Sequence, residues 1–402
     1  MISIYNLGSL YYELYIKGGC ILKEKILLKI ESIREEIINL SMDIYNNPEI
    51  AMKEYESSEK LANYLREKGF EVEENLAGME TAFKATIKNG DGPKIALCAE
   101  YDALPYGHAC GHHLIGAISV AAGVGIAEAL KKYNGEISII GTPAEEIGEG
   151  KPYLIEKGVF SNYDLAMMIH PFADTCIEPI VTTIGGYDFT FLGKTSHAGA
   201  KPYEGTNALD AVVCFYNNIS VLRQQLRDGT RIHGIILEGG DVVNSIPDRC
   251  KIRYEIRSTE TDYYKELVEK VINCAKAAAL ATGCKLEYNQ FERVCLGLKR
   301  NKTLADIFKS RMGEFGIVDS PKQLSGGSTD MGDVSHVIPS LHPMVKFVEN
   351  NEDVHTKDFL ASSIKPYAFN MLINSAKTLA MTALEVLKNP QLVDEMKKEN
   401  NN

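Results

Sequence analysis

Apolar residues recur every three to four positions from Lys23 to about Tyr45, which predicts an amphipathic helix that ends near the "NNPE" turn. A second helix is expected over residues 57–70, with Gly69 close to its C-terminus. The period then changes. "KIALCA" (94–99), "EISIIGT" (136–142) and "DLAMMIH" (164–170) are short, almost wholly apolar runs of strand length. Between them lie an Ala/Gly-rich helical stretch (111–133) and a shorter one (151–158). Strand and helix in this alternation predict an α/β fold, a mostly parallel sheet sandwiched by helices.

Around Ile184 the texture shifts to alternating, half-exposed strands. "GGYDFTFLGKTSHAG", a long helix in "NALDAVVCFYNNISVLRQQL", two strands in "RIHGIILEGG" and "RCKIRYEIRS", a helix from Thr261 and a last strand in "KLEYNQFERV" follow one another. The order β-α-β-β-α-β is the ferredoxin-like split unit. We therefore expect a catalytic-type domain in two parts, residues 23–183 and 294–402, interrupted by an inserted α+β unit at 184–293. A long helix near 363–388 would complete the first domain. Residues 1–22 are set apart as an N-terminal extension that need not be native.

Composition narrows the partners. The 402 residues are 45% apolar and 24% charged, the profile of an ordinary globular chain large enough for more than one core. A net charge of −11 with no basic block argues against nucleic acid and anionic membrane as partners. The longest apolar run, Ile115 to Ala127, falls short of the roughly 20 residues that span a bilayer, and it reads as a buried helix. The N-terminal stretch lacks a basic region and carries Glu13 inside its apolar part, unlike a signal peptide. Nine cysteines without paired spacing fit reduced thiols, so a cytoplasmic location is expected.

The candidate chemistry is concentrated. "AEYDALPYGHACGHH" (99–113) holds three of the nine histidines. In an open α/β sheet, ligands bind beyond the carboxyl ends of the strands. The first expected strand runs out into Glu100, Asp102, His108, Cys110 and His112, the second into Glu145 and Glu146, and the third into His170. Thiolate, imidazole and carboxylate together suit a borderline metal such as zinc, with a position left for water in a catalytic site. On an extended chain Glu145 and Glu146 point in opposite directions, so one can bind a metal while the other carries a proton. The Gly-rich "SGGSTDMGD" (325–333) lacks the Gly-Lys-Ser/Thr of a phosphate loop and reads as a substrate-lining turn.

"EYDALPYGHACGHH", "GTPAEEIGEGKPYLIEKGVF", "MMIHP", "GGDVVNSIPD", "GGSTDMGDVSHVIP" and "VHTKDF" resemble, in this order, the aminoacylase and carboxypeptidase family of co-catalytic metallopeptidases. The likeness extends from about residue 30 to 385 and is nearest to the amidohydrolase branch, with p-aminobenzoyl-glutamate hydrolase and the β-alanyl-lysine dipeptidases. The resemblance implies a zinc-peptidase-like catalytic domain, an inserted lid and dimerisation domain, and two divalent metal ions. It makes Cys110 the bridging thiolate, His112, Glu146, His170 and His355 the remaining metal ligands, Glu145 the general base and Asp102 the residue that orients the site. His108 falls beside the ligands rather than among them. In the inserted unit it gives His197, Asn244 and Arg257 to the reacting carbonyl, the oxyanion and a substrate carboxylate. His113 stands where many relatives carry Asp, and Glu100 where the peptidase branches carry a ligand histidine, which leaves one ion or two open.

The expected activity is metal-dependent hydrolysis of the amide bond in small N-acyl amino acids or dipeptides, by a homodimer or higher homo-oligomer. Zinc is the first choice of metal, with manganese, cobalt or nickel open, because cellular availability decides as much as ligand type. Two other readings are carried along: a non-catalytic relative that binds a metabolite, and a hydrolase with Cys110 as nucleophile.

Overall fold

The computed structural model describes residues 22–320 and 327–401, and the proposed N-terminal extension lies outside them except for Leu22. The chain opens with α1 (Leu22–Ser32), α2 (Arg34–Asn46), α3 (Tyr55–Glu67), β1 (Glu71–Glu74), β2 (Phe83–Asn89) and β3 (Lys94–Ala99). It continues with α4 (His112–Ile126), β4 (Gly135–Gly141), α5 (Gly150–Glu156), β5 (Leu165–Met167) and β6 (His170–Phe172). Next come β7 (Thr183–Leu192), α6 (Ala208–Leu222), β8 (Arg231–Glu238), β9 (Arg249–Ser258), α7 (Thr261–Thr282) and β10 (Lys285–Cys295). The last elements are α8 (Lys302–Met312), α9 (Met331–Val337), β11 (Ser340–Leu341), β12 (Met344–Lys346), α10 (Lys357–Ser362), α11 (Pro366–Lys388) and α12 (Gln391–Asn400).

Two compact units emerge. One comprises Met1–Pro179, Lys299–Gln323 and Val334–Asn402; the other comprises Ile180–Leu298 and Leu324–Asp333. The insertion is thus wider at both ends than the expected 184–293, and it includes a short later segment that falls within the 294–402 expected for the first domain.

The first unit is built on a six-stranded sheet in the order β1-β2-β4-β3-β5-β11. β4, β3, β5 and β11 run parallel, while β1 and β2 add an antiparallel edge. The single helix expected over 23–45 is two, broken at Ile33. The expected third strand is also two. β5 ends at Met167, and His170 begins β6, which pairs with β12 in a separate two-stranded sheet.

All fifteen residues of α4 are buried, because the helix lies between the sheet and α11. Its small residues permit that approach: a Cβ on Gly123 would stand 2.5 Å from Ile139 Cδ1. Among the described residues, the stretch His112–Lys131 is long and apolar enough to cross a membrane, and 89% of that window is buried inside the fold. It is the core helix of the unit.

The second unit shows the ferredoxin-like arrangement, an antiparallel sheet ordered β10-β7-β9-β8 with α6 and α7 packed on it. Along β9 the period of two is strict. Cys250, Ile252, Tyr254 and Ile256 are buried, while Lys251, Arg253, Glu255 and Arg257 take the other face.

Candidate functional site

β3 ends at Ala99 and β4 at Gly141, side by side and parallel, so the loops that follow them leave the sheet at the same edge. The first loop reaches Gly111, whose left-handed φ of +87° turns the chain into α4, and a Cβ there would approach Pro171 to 3.1 Å. His112 is consequently the first residue of α4 and faces back over the strand ends. Its Nδ1 lies 2.9 Å from Asp102 Oδ1 and 3.0 Å from the Asp102 carbonyl. Nδ1–H donates to Asp102, so Nε2 is the nitrogen that the ring offers to a cation.

That nitrogen has company. Glu100 Oε2, Glu145 Oε2 and Glu146 Oε1 stand 3.6, 3.8 and 4.0 Å from His112 Nε2. Here the extended-chain expectation fails. Glu145–Ile147 is a 3-10 turn entered through Ala144 at φ 60°, and both glutamates present an oxygen to the same imidazole instead of diverging. The Asp102 carboxylate secures this turn as well, since its Oδ2 accepts from the Glu146 N–H at 3.0 Å.

Cys110 Sγ lies 3.5 Å from His170 Nε2 and 3.2 Å from His355 Nε2. His170 donates from Nδ1 to its neighbour's carbonyl, Pro171 O, at 2.7 Å, which turns Nε2 toward the thiol. His355 takes a left-handed φ of 63°, and its N–H bonds Ala109 O at 2.8 Å, fixing it beside Cys110. Glu146 Oε2 is 3.7 Å from His355 Nε2.

The donor atoms of Cys110, His112 and His170 all lie within 4.8 Å of one another, and so do those of Cys110, Glu146 and His355. Two sets that share one thiol are what two adjacent ions with a bridging sulfur require. His112 Nε2 and Glu146 Oε1 are buried without a hydrogen-bond partner, which a metal ion would supply. The residues present fit a pair of borderline divalent cations.

Burial drives the pKa of His170 down to about 3, reinforced by a charge on His112, so His170 is a neutral imidazole. Burial opposes a charge on His112, but Asp102 and Cys110 outweigh it and raise that pKa well above the ordinary value, so a cation bound at Nε2 would displace a proton. Desolvation raises the Cys110 thiol, which disfavours attack by a free thiolate.

His108 and His113 stand apart from both donor sets. His108 Nε2 bonds Ile44 O at 3.1 Å, and the His113 ring packs edge-on to Tyr45 with centroids 5.0 Å apart. Three polar side chains near the site gave no signal in the sequence. Lys151 is fully buried with its Nζ 2.5 Å from Glu100 Oε1. His342 is buried 5.6 Å from the His170 ring with neither nitrogen hydrogen-bonded among the described residues. Glu54 is buried and bonded to the Ala144 N–H.

His197, Asn244 and Arg257 belong to the second unit. The His197 and Asn244 loops are joined there: the Ala198 N–H bonds Asn244 O at 2.9 Å, and the Ile246 N–H bonds Ser196 O at 2.9 Å. His197 Nδ1 accepts from the Gly199 and Ala200 amides at 3.2 and 3.1 Å, so its exposed ring carries any N–H on Nε2. Arg257 is no bare guanidinium: Glu255 Oε2 lies 3.1 Å from its Nη2, and Ser328 Oγ 3.4 Å from Nη1.

Comparison with known proteins fits this architecture. Residues 182–282 match the model of the peptidase dimerisation domain, which falls on the ferredoxin-like unit. The chain is 36% identical to a mouse (Mus musculus) Xaa-Arg dipeptidase, over 94% of this chain and 92% of that protein. It is 30% identical to one of the subunits of the p-aminobenzoyl-glutamate hydrolase of Escherichia coli K12, over 71% of this chain and 64% of that one. The crystal structure of the Bacillus subtilis YXEP protein, a dinuclear metal binding peptidase, shares the fold with a TM-score of 0.72 at 20% identity, covering 89% of this chain and 99% of that one. Full-length similarity to an amide-cleaving relative, together with the dimerisation domain inserted at its proper place, shows that this chain belongs to the M20 family of metallopeptidases and is a metal-dependent hydrolase of amide bonds.

Proposed function

We propose that the chain cleaves small dipeptides, and other N-acyl amino acids of similar size, with Glu145 as general base. The observation that carries this reading is the convergence of Glu145 and Glu146 on His112 Nε2, beside a second donor set built on the same Cys110. Cys110, His112, Glu146, His170 and His355 would hold two divalent ions, zinc by the chemistry of the donors. When bound, such ions supply Lewis acidity and bring the pKa of water down from 15.7 toward about 7. Glu145 is left to take a proton from the attacking water and pass it to the leaving amine. Asp102 keeps His112 in the tautomer that offers Nε2. His197 and Asn244 are the donors proposed for the oxyanion, and Arg257 for a substrate carboxylate.

Dipeptides come first because the mouse relative, similar over nearly the whole chain, is a dipeptidase. A homodimer formed through the second unit is part of the proposal. β8 is the outer strand of its sheet and exposes Ile235 by 62%, and α6 exposes Val221 by 71%. A cytoplasmic enzyme suits the eight cysteines that stand outside any disulfide among the described residues.

The test is Glu145→Gln. The amide keeps the shape of the side chain but cannot accept the proton, so turnover should fall by about 10²–10⁴-fold with KM and bound metal nearly unchanged. Near-normal turnover at full metal content would refute the assignment.

A further inference from the structure

The turn that presents Glu145 and Glu146 is held from a distance. Ala144 is fully buried and left-handed, with φ 60° and ψ 37°, a conformation that an L-residue with a Cβ adopts only when its surroundings impose it. Its N–H bonds Glu54 Oε1 at 2.9 Å, across 90 positions of sequence. The same oxygen accepts from the Met52 N–H at 3.0 Å, and Met52 is also left-handed, with φ 66°. One carboxylate oxygen thus satisfies two amides in strained conformations. One belongs to the turn that leads into α3; the other stands immediately before the two glutamates of the site.

Glu54 is completely buried, and its second oxygen has no hydrogen-bond partner among the described residues. Burying a carboxyl group is costly, and although Glu54 is the N-cap of α3 its side chain makes no capping hydrogen bond to that helix. We infer that Glu54 is a positioning residue: it pins Ala144 in the left-handed conformation and thereby fixes the direction in which Glu145 and Glu146 leave the strand. Without it the Ala144 amide would be buried and unsatisfied, and the turn would relax toward the right-handed basin. Both glutamate side chains would move with it.

The inference rests on the roles proposed for Glu145 and Glu146. Its test separates the two, because a wrong role for Glu145 shows in Glu145→Gln and leaves the following outcomes to report on the turn alone. Glu54→Ala should lower kcat by about 10- to 100-fold, the cost of leaving a buried donor unsatisfied, with KM little changed. The same variant should lose metal more readily to a competing chelator, since Glu146 lies in the same turn. Glu54→Gln keeps an acceptor oxygen in place and should behave like the parent in both assays, which also covers the case of an unstable alanine variant. Ala144→Gly removes the penalty on a positive φ but leaves the buried amide without its acceptor, so adding it to Glu54→Ala should regain only part of the kcat and of the metal retention. Normal kcat in Glu54→Ala, or impairment of Glu54→Gln equal to that of Glu54→Ala, would each overturn the inference.

Discussion

Stripping the metal and lowering the pH from 7 to 5 should strongly destabilise this protein, and the structure sets the scale. Four histidines are buried in states that resist protonation. Burial, with a charge on His112 adding to it, takes His108 down to about 4; burial takes His170 down to about 3; burial holds His113 and His342 well below the ordinary value. In the unfolded chain a histidine titrates near 6.5. Below that pH the unfolded state binds more protons than the folded one, so stability falls as pH falls, until each folded pKa is reached. Between pH 6.5 and 5 each residue costs about 2 kcal/mol, and the four together at most about 8 kcal/mol. Glu54 works the other way. Burial raises its pKa to about 7, so the folded state takes up its proton first and regains about 2 kcal/mol over the same interval. The raised pKa of His112 gives a contribution already complete below 6.5, and the lowered pKa of Asp102 one that is lost only at still lower pH, so neither alters the balance in this window. A net loss of about 6 kcal/mol is comparable to the total stability of an ordinary domain, about 5–15 kcal/mol. Urea titrations followed by far-UV circular dichroism, at pH 7 and pH 5 with chelator present, measure the loss directly. His342→Leu should reduce it by about 2 kcal/mol. A metal-free protein equally stable at both values would refute the reasoning.

Much of this arrangement was legible in the sequence, for identifiable reasons. The apolar runs of β3 and β4 and the small-residue surface of α4 reflect burial from both sides, which leaves little choice of residue. The ferredoxin-like order could be read because β9 and its neighbours alternate cleanly between core and surface. β11 and β12, of two and three residues, carry too few side chains for a period to show. The turn at Ala144 was hidden because alanine gives no sign of a positive φ; only the distant Glu54 carboxylate explains it. His355 is left-handed for a similar reason, its amide being anchored to Ala109. Lys151 was hidden by its own chemistry. A lysine reads as a solvated surface group until its buried partner is known, and Glu100 lies 51 positions earlier in the chain.

Two further perturbations probe the frame around the site. A Cβ on Gly150 would lie 1.7 Å from Pro143 O, so Gly150→Ala must displace the segment that carries Glu145 and Glu146. A shift of about 1 Å there should lower kcat by roughly 10²-fold while the melting temperature falls modestly; unchanged kcat would show that the segment adapts without moving the glutamates. Lys151→Met should be far more damaging to stability than to packing volume. Lys151 and Glu100 are both fully buried, and removing the ammonium leaves the Glu100 charge without its 2.5 Å partner. The expected cost is about 3–5 kcal/mol in denaturant titrations. Lys151→Met combined with Glu100→Gln should recover most of it, since the penalty lies in the uncompensated charge and not in the missing lysine. A single variant within about 1 kcal/mol of the parent would mean that the buried ion pair does not account for a lysine in the core.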